Sequence, residues 1–141
     1  MCSCDFLRFV SDADVEIEEF PWGPHEWFVK EGITENEQLL LVKVRMPAGT
    51  AHQFHRHPHM EEALYYLEGR AEQWVGEEKK VMGPGDVAHI PMGEVHGTYN
   101  TFEETCVFLA ILGPAKFDGP AVVDVCKQEP WCSHKTPIDY D

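Results

Sequence analysis

The stretch GTAHQFHRHPHMEEALYYLEG, residues 49–69, decides how this chain is read. It holds His52, His55, His57 and His59, four of the eight histidines, within eight residues. Side chains of a strand alternate between its two faces, so His55 and His57 project to one side. One ion can then reach both imidazoles. A solvated histidine-rich loop is the competing account, and for an isolated pair it is the better one. Glu62 to Glu68 reads as an extended run, ended by the break at Gly69.

A second block follows at Gly85, Pro91, Gly93, His96 and Asn100. With the spacing Gly49, His55, His57, Glu62 and Gly69, the two blocks resemble the paired signature motifs of the cupin superfamily at every fixed position. The intervening segment, 70–84, is short, as in compact microbial members. The resemblance is strict over residues 49–100 and looser in the flanking strands. It implies an all-β double-stranded β-helix, or jelly-roll barrel, with His55, His57, Glu62 and His96 as metal ligands. Three imidazoles and a carboxylate suit one divalent transition metal, Fe, Mn, Ni, Co or Zn. Glu62 lies seven residues before Gly69, as the motif requires; Glu61 is out of step and points outward by strand parity.

Outward from these blocks the texture is that of short β-prone runs between Gly/Pro turns. Residues 38–46 alternate, with Val42, Val44 and Met46 on one face and Lys43 and Arg45 on the other. Further strands are expected at 52–57, 71–75, 80–82, 87–91, 96–99, 105–113 and 121–125, with a strong turn at Gly83-Pro84-Gly85-Asp86. No segment of ten residues carries a helical apolar stripe. The whole, 1–141, is read as one cupin domain with its barrel at about 38–113. DVEIEEF (14–20) is expected as an edge strand, and 126–141 as an irregular tail.

Lys plus Arg total 11 against 25 Asp plus Glu, a formal net charge of −14. Such a surface repels nucleic acid and anionic lipid. No run is long and apolar enough to span a bilayer, and the N-terminus has no secretory pattern, so a cytoplasmic protein is expected. Five scattered cysteines suit a reducing compartment. Cys2-x-Cys4 reads as idle thiols, and Cys132-x-His134 as half of a zinc site lacking its second half. The family resemblance implies a homodimer, with which the 14–20 segment is compatible.

Strand parity nominates the neighbours of the site. Gln53 shares a face with His55 and His57, Tyr66 with Glu62, and Thr98 with His96, making the three candidate substrate-binding residues. A Tyr66 hydroxyl facing a metal can orient a substrate or move a proton; simple barrel filling is an equal account. Trp74 is a candidate wall. His52 and His59 read as surface or supporting residues, and His89 as a half-buried, hydrogen-bonded one. The aromatic stretch 20–28 can cap the barrel mouth, make a dimer contact, or pack in the core. Fold does not determine function. The filled ligand set points first to a small-molecule metalloenzyme of dioxygenase type. Oxygen-independent Lewis-acid lyase or isomerase chemistry, and a non-catalytic binding or sensor protein, are the alternatives.

Overall fold

The computed structural model describes residues 6–140, so the Cys2-x-Cys4 pair lies outside the described residues. Among the described residues, eleven strands and one short helix follow in chain order. They are β1 (Glu16–Phe20), β2 (Gly23–Val29), β3 (Leu40–Met46), β4 (Ala51–Arg56), β5 (Glu61–Glu68) and β6 (Ala71–Val75). Then come β7 (Glu78–Met82), β8 (Val87–Ile90), β9 (His96–Tyr99), β10 (Cys106–Gly113), β11 (Val123–Asp124) and α1 (Trp131–His134). The strands form a six-stranded sheet, β1-β2-β3-β10-β5-β8, and a five-stranded sheet, β11-β4-β9-β6-β7. All pairings are antiparallel.

Alternation explains the larger sheet. On β3, Val42, Val44 and Met46 are buried while Lys43 and Arg45 face outward. β10 sets Phe108, Ala110 and Leu112 on the same inner side. These residues join Leu64, Tyr66, Ala71, Met82 and Ile90 in the main core. Each large apolar side chain removed from water there stabilises the fold by roughly 1.5–3 kcal/mol before entropy is counted. Gly69 turns the chain between β5 and β6 at φ +69°, and a Cβ there would lie 2.3 Å from the Thr105 carbonyl oxygen. Only glycine satisfies both conditions.

The aromatic stretch forms β2, a strand that reading by alternation does not reveal, because Trp27 and Phe28 are adjacent and both only partly buried. β1 occupies one edge of the larger sheet, as expected of 14–20. Apart from the four residues of α1, the C-terminal segment carries no regular element among the described residues. It is nonetheless firmly docked on the outer face of the smaller sheet, where Phe54, Trp74 and Tyr99 form a second core with Val125. Trp131 and Ile138 pack against it. The Tyr140 hydroxyl accepts from the Ala51 N–H at 2.8 Å and donates to the Ala51 carbonyl at 3.1 Å. Three outward aromatics on one sheet face need such a cover, and the tail supplies it. The expected strand at 121–125 shortens to β11, paired with β4. No helix among the described residues is long and apolar enough to cross a membrane.

Candidate metal centre

The site is built where the two sheets face each other. His55 and His96 are register partners on β4 and β9 of the smaller sheet. Glu62 projects from β5 of the larger one, and His57 follows the end of β4. The turn carrying Gly93 closes the group, since Gly93 N–H donates to the His57 carbonyl at 3.0 Å. The candidate ligand nitrogens of His55, His57 and His96 all lie within 4.8 Å of one another. A Glu62 carboxylate oxygen, Oε1, sits 2.9 Å from His96 Nε2 and 3.4 Å from His57 Nε2.

Each ring is oriented from behind. Nδ1 of His55 lies 2.6 Å from the Gln53 carbonyl, that of His57 2.8 Å from Ala121, and that of His96 3.0 Å from Glu94. A carbonyl oxygen only accepts, so in each neutral ring Nδ1 carries the proton and Nε2 keeps a lone pair. Glu62 Oε1 and His96 Nε2 are buried and have no hydrogen-bond partner. Buried polar atoms without partners are costly, unless something else binds them. Two ligand atoms each ~2.1 Å from one ion lie ~3 Å apart when they subtend a right angle, which is close to the Glu62–His96 separation. The donor set fits a divalent transition metal.

The electrostatics agree. Burial opposes ionisation of Glu62, but the facing His57 and His96 rings, 3.4 and 2.9 Å from its Oε1, outweigh it when they carry charge and hold its pKa at about 2. Burial also disfavours a charged His57, yet the Glu62 carboxylate outweighs it and raises His57 above the ordinary imidazole value. His55 moves well down, through burial first and then the neighbouring His52, His96 and His57. An anionic carboxylate beside a neutral ring is ready to receive a cation.

A cavity of about 310 Å³ opens beside these groups. Val42, Val44, Leu64, Phe108, Ala110 and Leu112 supply its apolar wall, and Phe20, Trp22, His25 and Trp27 its aromatic rim. The 20–28 stretch therefore lines the cavity. Of the three residues nominated by parity, Thr98 lines it, with its hydroxyl donating to Gln73 Oε1 at 2.5 Å. Tyr66 does not: it is fully buried behind the cavity and donates to the same Gln73 oxygen at 2.6 Å. Gln53 is turned away, its amide donating to the Ile138 carbonyl and accepting from the Ile138 N–H. A register shift between His52 and His55 in the β4–β9 pairing breaks the alternation that grouped Gln53 with His55. His52 takes the cavity position instead, stacked between Trp22 and His55 at ring-centroid distances of 4.3 and 3.6 Å.

The remaining residues fall outside the site. Trp74 joins the outer core and donates to Glu72. His89 is exposed, not half-buried, and pairs with the outward-facing Glu61 at 2.8 Å. His59 stacks on Phe117. Cys132 and His134 address two different carboxylates, Glu129 and Glu77. Trp22, His25, His52 and Ala121 are the cavity neighbours that alternation missed; the aromatic density at 20–28 was the visible signal for Trp22 and His25, and none marked His52 or Ala121.

Relatives place this architecture. An uncharacterized protein of Aquifex aeolicus is 31% identical over 121 residues, covering 86% of this chain and 90% of that protein. The polyketide cyclase RemF of Streptomyces resistomycificus superposes with a TM-score of 0.72 at 23% identity, covering 93% of this chain and 94% of that one. The DMSP lyase DddQ of Ruegeria pomeroyi gives 0.68 at 25% identity, covering 82% of this chain and 64% of that one. The family model of the cupin domain matches residues 42–112, which span β3 through β10 and the whole four-residue cluster, and the chain belongs to that family.

Proposed function

We propose that this chain is a metal-dependent enzyme of dioxygenase type, acting on a small, mostly apolar molecule held beside one divalent transition-metal ion. The observation that carries this reading is the convergence of His55, His57 and His96 with Glu62, each ring held by a carbonyl behind it. A divalent ion on those residues supplies Lewis acidity, and a redox-active one also an electron path between an organic substrate and dioxygen. The chain's own residues set the substrate class. The aliphatic wall excludes water and favours an apolar body. Trp22 lines the cavity, and its buried indole N–H has no partner among the described residues.

Oxygen-independent lyase or isomerase chemistry is the second reading. It is favoured by His52, whose pKa is driven well down by burial and then by His96, leaving a neutral proton acceptor on the cavity wall. The structural likeness to a lyase supports it too. The test begins with elemental analysis of protein purified without added metal. Oxygen uptake is then followed with a catechol, a β-diketone and a flavonol. Metal-dependent uptake with product formation is expected. Turnover under strict anaerobiosis would instead establish the second reading. A metal complex that binds these probes and releases them unchanged would overturn catalysis in favour of a binding protein.

A further inference from the structure

The three rings of the cluster are not held in the same way. His55 and His96 donate to carbonyls two residues earlier in their own segments, Gln53 and Glu94. Their orientation is built into β4 and into the turn before β9. His57 donates to Ala121, 64 residues further along and beyond the cupin match at 42–112. His57 also stands after the last residue of β4, where no ladder fixes its backbone.

The segment that brings Ala121 there is fastened at both ends. Phe117 stacks on His59 with ring centroids 5.2 Å apart and packs against the main core. Gly119, at φ +114°, passes so close that a Cβ would lie 2.5 Å from His59 Nε2. On the other side β11 pairs Val123 with Arg56 and Asp124 with His55, and Val125 N–H donates to the Phe54 carbonyl at 3.0 Å. Ala121, Val122 and Asp124 also line the cavity.

We infer that residues 117–125 form a strap that positions His57. Its Ala121 carbonyl fixes the Nδ1–H tautomer and ring angle, so that Nε2 faces Glu62 and His96, while its inner side closes one wall of the cavity. The consequence for metal affinity rests on the metal reading above; the hold on His57 does not. The strap acts through His57 and touches no reacting atom.

The test uses Gly119→Val, which forces a side chain against His59 at a φ that L-residues rarely adopt, and His59→Ala, which removes the stack on Phe117. Should the first variant fail to fold, the second carries the test. Long-range ¹⁵N–¹H correlation of the metal-free full chain at about pH 9, well above the ordinary imidazole value, reports each tautomer. In the wild type His55, His57 and His96 should all show Nδ1–H. In the variants His57 alone should relax to a tautomer mixture, with His55 and His96 serving as internal controls. Co(II), followed by its visible spectrum, should bind about 10–100-fold more weakly. A His57 signal unchanged in both folded variants, or a joint loss of all three, overturns the strap. A wild-type chain that takes up no Co(II) overturns the metal reading instead, and the tautomer result still decides the strap.

Discussion

The His52 imidazole lies almost parallel to that of His55, with ring centroids 3.6 Å apart and 10° between planes. Trp22 covers its other face at 12°. His52 is thus the middle layer of a three-ring stack that begins at the metal cluster and ends at the cavity rim. The stack requires that His52 and His55, three residues apart, share a side of β4, which only the register shift permits.

A phenyl ring fills the same slot without a nitrogen. His52→Phe should therefore retain metal, at one ion per chain, while His55→Ala should lose it with the β circular dichroism unchanged. Elemental analysis of both purified variants checks this. Loss of the ion from His52→Phe would show that the histidine ligates, and the wall role would fall.

The Tyr66 hydroxyl donates its hydrogen to Gln73 in the buried core, and burial raises its pKa far above the ordinary phenol value, the setting of a barrel-filling residue. Tyr66→Phe removes one buried hydrogen bond, while Thr98 still satisfies the Gln73 oxygen. The loss should be about 1 kcal/mol, read as a fall in Tm of roughly 3–5 °C. Metal content should not change. A variant of wild-type Tm but lowered metal content would restore Tyr66 to the site.

These residues show where sequence and structure part company. The spacing of Gly49, His55, His57, Glu62, Gly69 and the second block made barrel and cluster legible through its resemblance to the paired motifs, whose glycines stand at turns and whose ligand positions fall at the ends of β4, β5 and β9. At the site strand parity failed on β4, where one irregularity exchanged Gln53 for His52. Nothing in a local window announces such a shift, since it is fixed by pairing with β9 across more than forty residues of chain. The docked tail was hidden for a related reason. Pro-rich, polar 126–141 has no period to read, and its anchors, Trp131, Ile138 and Tyr140, find their partners only in the folded sheet.

Those anchors carry energy. Trp131 lies 4.9 Å from Phe54, a wholly buried ring on the outer face of the smaller sheet. Trp131→Ala should uncover part of that face and cost about 2 kcal/mol. The urea midpoint should fall accordingly, with the metal cluster intact. An unchanged midpoint would mean that the tail merely rests on the sheet.

Glu62 and His57 yield a pH dependence whose sign can be worked through. His57 is held above the ordinary imidazole value of about 6.5, because the Glu62 carboxylate outweighs burial. Their contact therefore stabilises the metal-free chain fully below that pH, and the contribution is lost as pH rises through the folded His57 value. Metal binding runs the other way, since it needs the neutral ring. Affinity should be complete above the His57 value and decline as pH falls through it, the displaced proton appearing as proton release on Co(II) addition. His55 adds no proton in this range, because burial drives its pKa down. In Glu62→Gln the carboxylate is gone and only the Ala121 carbonyl still opposes burial, so His57 should titrate below its wild-type value. A ¹H–¹⁵N titration of His57 in both metal-free proteins measures the two values directly. A wild-type His57 titrating at or below the Glu62→Gln value would show that the carboxylate does not govern this ring.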